Sequence, residues 1–171
     1  ALLVIRLINF SIHSFIFPQD VNSIYNCYIN EDFVNSKLEF FGGRKIEVNI
    51  QNVEDRVIIE SSREVQAEPP GALKRFASPW TKMIQKEIWE GKKGGPYSGN
   101  MSIEIEGIPA TIFGHMILTS SIDGTVANNT TDIKCNIPFF GKAITKFIAQ
   151  QSEKAIAEEF EYMKNFGKSF L

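Results

Sequence analysis

A chain of 171 residues with 43% apolar and 22% charged side chains is long enough for one folded domain with its own core. Such a composition excludes a disordered tail, a collagen-like repeat and a disulfide-stapled miniprotein. A net charge of −2 and a pI near 5.8 exclude the broad basic surface of a dedicated nucleic-acid binder, so no nucleic-acid partner is expected. Fourteen Phe against four Tyr and two Trp point to a large apolar interior.

Residues 1–17 are largely apolar, but Arg6, Asn9, Ser11, His13 and Ser14 interrupt them. A bilayer span needs about 20 uninterrupted apolar residues. A leader would place its charge before the apolar stretch and a small-residue cleavage site after it. A long strand and a cytoplasmic protein without a transmembrane segment are the expectation. Ile8, Phe10, Ile12 and Ile16 share one parity and are assigned to the buried face, which turns His13 outward with Asn9, Ser11 and Phe15. Pro18 ends the strand.

Asp20 then caps a short helix carrying Val21, Ile24, Tyr25 and Tyr28 at helical spacing. A second short helix holds Phe33, Val34, Lys37, Leu38 and Phe41, and Gly42-Gly43 closes it. The period then changes to two. Ile46, Val48 and Ile50 mark one strand, and Val57, Ile59, Ser61, Arg63 and Val65 mark the next. Pro69-Pro70-Gly71 interrupts, with one helical turn over Ala72 to Phe76. Strands follow at about 81–90, 97–107, 110–122 and 125–137, the last two joined by the hairpin signal Asp123-Gly124.

From Phe139-Phe140 to Gly167 the apolar residues Ile144, Phe147, Ile148, Ala155, Ile156, Phe160, Met163 and Phe166 return to helical spacing. About 25 residues of helix would be roughly 37 Å long. One strand, two short helices, six strands and one long helix make an α+β fold, an antiparallel sheet with its helices on one face.

With this order of elements, Phe41-Gly42-Gly43, Pro70-Gly71-Ala72-Leu73, Glu87-Ile88-Trp89 and Ile137-Pro138-Phe139-Phe140-Gly141-Lys142 make the chain resemble the START-like (SRPBCC, helix-grip) superfamily. It is typified by the birch-pollen allergen. More narrowly, the chain is similar to a mainly actinobacterial branch with no established activity. The resemblance spans residues 8–166 of a single domain covering 1–171, with 1–7 outside the pattern, either an extension of the first strand or residues foreign to the domain. It implies a curved seven-stranded antiparallel sheet gripping the C-terminal helix, with a cavity between them. Relatives bind lipids, sterols, polyketides or plant hormones, and a few are cyclases or hydroxylases.

Little in the sequence points to catalysis. His13 and His115 both fall on parities assigned outward, and no HExxH spacing supports a metal site. No GxSxG elbow is present. Gly91-Lys92-Lys93-Gly94-Gly95 lacks the following helix and the Lys-Ser/Thr of a phosphate loop, so it reads as a hairpin. Cys27 and Cys135 have no metal-finger spacing and are either two reduced thiols or one disulfide. No metal and no cofactor are expected.

Two placements carry more weight. Arg63 lies on the apolar parity of its strand, so it either meets a carboxylate or ligand acid, or reaches solvent along its aliphatic stem. Gln85 and Glu87 share the parity of Met83 and Trp89; if that parity faces inward, Glu87 is a candidate partner of Arg63 or a polar anchor for a ligand, and it is the one weak candidate for a catalytic base. Gln151 and Ser152 break the apolar stripe of the long helix, either as polar cavity lining or as a hydrated kink. Phe113 and Ile117 mark an outer apolar patch that would suit a homodimer. Lys142 and Lys146 sit in the first turns of the long helix, against its dipole, and hint at an anionic group nearby.

The expected function is a binding module for an apolar or amphipathic small molecule. Its lining would be Ile59, Arg63, Met83, Gln85, Ile103, Met116, Ile133, Phe147 and Gln151, with Arg63 meeting an acidic headgroup. The alternatives are a cyclase or hydrolase of the same fold, or a protein-interaction domain with a filled interior.

Overall fold

The computed structural model describes residues 9–76 and 78–170, and the side chains of 11–76 and 78–169. Strand β1 (Asn9–Phe17) leads into α1 (Val21–Tyr28) and α2 (Glu31–Phe40). Strands β2 (Arg44–Val53), β3 (Arg56–Val65), β4 (Thr81–Gly91), β5 (Tyr97–Ile105), β6 (Ile108–Ser121) and β7 (Gly124–Cys135) follow, with a 3-10 turn at Gly71–Phe76 between β3 and β4. Helix α3 (Gly141–Phe166) ends in a 3-10 turn, Gly167–Phe170. The extension expected at residues 1–7, and Ile8, lie outside the described residues.

The strands form one seven-stranded antiparallel sheet in the order β1-β7-β6-β5-β4-β3-β2. Hairpins explain the run from β2 to β7, while α1 and α2 carry the chain from one edge to the other. Both helices start on side-chain caps. Asp20 Oδ1 accepts from the backbone N–H groups of Asn22 and Ser23, and Asn30 Oδ1 accepts from that of Phe33 at 2.9 Å. At the end of α2 the chain turns through Gly42 at φ 78°, a conformation glycine adopts without steric cost. The sheet curls so that α3 packs on β7 and β1 while it faces the inner side of the remaining strands. This is the α+β, helix-gripping arrangement expected from the order of elements.

The first strand corrects the sequence reading. Its buried parity is Phe15 and Phe17, whereas Ile12 and Ile16 are 68% and 63% exposed. Both parities of β1 are apolar, so alternation alone could not orient it. The decision lies with α3, where Phe160 stacks against Phe15 and Phe17 at ring separations of 3.4 and 5.3 Å. Two aromatic rings gain more from that contact than two isoleucines would. His13 therefore points inward, not outward, and its Nδ1 is buried without a hydrogen-bond partner among the described residues. His115 does face outward, with Nδ1 2.7 Å from Asn100 Oδ1.

The core divides in two. One cluster joins α1, α2 and the C-terminal part of α3 to Trp89, Tyr97, Met116 and Leu118. The other joins Leu73, Ile103, Ile112 and Ile133 to Ile144 and Ile148 near the start of α3. Ile59 and Ile133, each 1% exposed, are packed within these clusters.

Candidate functional site

A cavity of about 390 Å³ opens between the two clusters, bounded by the inner face of the sheet, α2 and α3. Along β4 the inward positions are Thr81, Met83, Gln85, Glu87 and Trp89, because successive side chains of a strand alternate between faces. The cross-strand register sets Arg63 of β3 opposite Met83 and Ser61 opposite Gln85. Arg63 Nη1 donates to Gln85 Oε1 at 2.8 Å, and Gln85 Nε2 donates to Glu87 Oε1 at 2.6 Å. Trp89 Nε1 donates to the second carboxylate oxygen, Glu87 Oε2, at 2.8 Å.

An amide thus stands between the guanidinium and the carboxylate. The direct Arg63–Glu87 pairing that the sequence offers as one reading is replaced by this relay, because Gln85 occupies the intervening inward position. Glycine supports the arrangement. A Cβ on Gly99 of β5 would come within 2.8 Å of the Trp89 ring, so only a bare backbone lets the indole lie flat there.

The facing wall is built by helices. Lys37 of α2 is buried and its Nζ lies 3.3 Å from Glu159 Oε1 of α3. Tyr28 of α1 packs its ring against Trp89 at 5.2 Å, and its hydroxyl is buried without a hydrogen-bond partner among the described residues. Burial, reinforced by the charges of Glu159, Cys27 and Glu87, holds that hydroxyl well above the usual tyrosine pKa, so it stays a proton donor. Burial lowers Lys37, but Glu159 and Glu87 outweigh it and leave the ammonium above its ordinary value. Burial also draws Arg63 down to about 10, against the pull of Glu87 and Glu159, and it remains cationic at neutral pH.

Beyond Met83 the lining turns apolar, with Leu73, Ile103, Ile112, Ile144, Phe147 and Ile148. The lining's exposed members, among them Gln66, Gln151, Lys154 and Ala155, mark where the cavity meets solvent, between the end of β3 and the middle of α3. Of the residues assigned from sequence, the cavity brings together Arg63, Met83, Gln85, Ile103, Met116, Phe147 and Gln151. Ile59 and Ile133 lie in the packed clusters instead. Ser152 is half-buried in the lining, and Gln151 stands at the mouth.

Tyr28, Lys37 and Glu159 were not singled out. A lysine within the apolar stripe Val34, Leu38 and Phe41 was the available signal. Their meeting depends on how α1, α2 and α3 are brought together.

Among the described residues, no cluster of three or more His, Cys, Asp or Glu could hold a metal ion, and no helix is long and apolar enough to cross a membrane. Both cysteines are free, Cys27 buried and Cys135 half-buried. Phe113 and Ile117 lie on the outer face of β6, 38% and 37% exposed, with Lys134 Nζ 4.9 Å from the Phe113 ring centroid.

Solved structures share this architecture. TTHA0849 from Thermus thermophilus superposes with a TM-score of 0.60 at 12% identity, covering 95% of this chain and 97% of that one. Ara h 8.0201 does so at 0.54 and 9% identity, over 95% and 99% of the two chains. A Thalictrum norcoclaurine synthase point mutant, in complex with a transition-state analogue, matches at 0.54 and 14% identity over 90% and 91%. At these identities the likeness establishes the helix-grip fold and nothing of the neighbours' chemistry. No curated protein matches the chain. Residues 13–166 match one family model, and the chain belongs to that family, described as Protein of unknown function (DUF2505).

Proposed function

We propose that the protein binds an amphipathic small molecule in the cavity between sheet and α3. The observation that carries this reading is a void of about 390 Å³ at the centre of the fold, apolar at one end and crossed by a hydrogen-bonded polar band at the other. A gap of that size costs packing energy unless something fills it. The apolar part of the guest lies against Ile103, Ile112, Phe147 and Ile148, and its polar part against Tyr28 and the band from Arg63 to Trp89. That a norcoclaurine synthase of this fold is described holding a transition-state analogue agrees with a small molecule in such a space.

A carrier is favoured over an enzyme by the setting of Glu87, the candidate base that the sequence offers. Each of its carboxylate oxygens already accepts a hydrogen bond, from Gln85 and from Trp89, so both are engaged by the protein's own donors and not by a guest.

Native mass spectrometry of freshly purified protein, with uptake of the neutral fluorophore N-phenyl-naphthylamine, tests the proposal. A co-purified small molecule or saturable uptake is expected, with Ile103→Trp weakening uptake by filling the void. Protein that carries nothing and takes up no fluorophore would sink it.

A further inference from the structure

The polar end of the cavity is electrically complete. The charged lining residues Lys37, Arg63 and Lys154 are matched by Glu87, Glu158 and Glu159. Lys37 holds Glu159 at 3.3 Å, Lys154 lies 3.8 Å from Glu158, and Arg63 reaches Glu87 through Gln85. Neither buried cation is left waiting for an anion. The unmet group is a neutral one. Tyr28 is 2% exposed, lines the cavity, and has no hydrogen-bond partner for its hydroxyl among the described residues. A buried donor of this kind costs free energy until an acceptor reaches it.

Resting on the reading of the cavity as a ligand site, we propose that the guest's polar end is an uncharged acceptor oxygen, of a ketone, ester or alcohol, that takes the Tyr28 hydroxyl hydrogen bond. A carboxylate or phosphate is the wrong head. It would add an uncompensated charge to a balanced, poorly solvated site. The carboxylates of Glu159 and Glu87, whose charges add to burial in holding the Tyr28 proton in place, would repel it. This replaces the acidic headgroup that a lone Arg63 suggested in the sequence, because Gln85 already accepts from the guanidinium and the nearby Glu87 balances its charge.

The test is displacement of N-phenyl-naphthylamine by chain-matched amphiphiles, methyl nonyl ketone and undecanoate, at neutral pH. The ketone is expected to displace at a concentration about tenfold lower than the carboxylate, and Tyr28→Phe is expected to erase most of that ratio, since one neutral hydrogen bond is worth about tenfold in affinity. The variant keeps the ring that packs on Trp89, and a thermal melt checks its fold. Undecanoate binding as tightly as the ketone would overturn the inference, as would a Tyr28→Phe variant in which both ligands weaken together or neither changes. Failure of the wild type to take up the fluorophore at all would instead sink the ligand-site reading itself.

Discussion

Lys37 of α2 and Glu159 of α3 stand 3.3 Å apart although 122 positions separate them in the chain. Among the described residues, this is the ion pair that ties the long helix to the rest of the fold. The two partners differ in exposure, 7% for the lysine side chain and 26% for the glutamate. Removing one therefore does not mirror removing the other. Glu159→Gln strands a buried ammonium and is expected to cost about 3 kcal/mol, whereas Lys37→Met leaves a carboxylate that reaches water and costs about 1 kcal/mol. Urea denaturation of both variants measures the difference, and equal costs would contradict this account.

The flat contact between Gly99 and the Trp89 indole makes a second prediction. Gly99→Ala pushes a methyl group into the ring at 2.8 Å. Displacing the indole also strains its hydrogen bond to Glu87. A loss of about 1–3 kcal/mol is expected, together with a change in tryptophan emission. An unchanged midpoint and spectrum would mean that the indole has room to spare.

Orientation of β1 can be checked directly. Phe17→Ala removes a side chain 2% exposed and should cost about 3–5 kcal/mol. Ile16→Ala, at a position 63% exposed, should stay within about 0.5 kcal/mol of the parent. The reverse order would restore the parity that the isoleucines alone suggest.

Stability should fall on the alkaline side. Burial, opposed weakly by Lys37, pushes the Cys27 thiol from 9.0 to about 12. The Tyr28 hydroxyl lies well above 10.0, chiefly through burial. Lys37 lies above 10.5, burial being outweighed by Glu159 and Glu87. All three bind their protons more tightly folded than unfolded, so the folded state loses ground as pH rises through this window. Arg63, drawn down by burial from 12.5 to about 10, acts in the opposite sense between those values and tempers the fall. The urea midpoint should begin to drop above pH 9.0, where the unfolded thiol ionises first. Cys27→Ala should remove that earliest part of the drop. A midpoint flat across the window would refute the assignment.

Much of the architecture was legible in one dimension because it rests on local rules. Asp20 caps α1, Gly42 turns the chain out of α2, and the two-residue period from Ile46 to Cys135 separates one sheet face from the other. The return to helical spacing from Ile144 to Met163 marks α3 by itself. Inward alternation on β3 and β4 was enough to put Arg63, Met83, Gln85 and Glu87 on one surface.

What remained was decided by contacts between distant segments. The facing of β1 depended on Phe160, and with it the inward turn of His13. That Arg63 meets a neighbour inside the fold depended on the side chain of Gln85 reaching both Arg63 and Glu87. The wall of Tyr28, Lys37 and Glu159 exists only once three helices meet. Periodicity tells which side of an element is apolar, because that follows from backbone geometry along the chain. It cannot tell which of two apolar sides is covered, or whether opposing layers close on each other or leave a space. Those outcomes turn on the packing of side chains brought together by the whole fold.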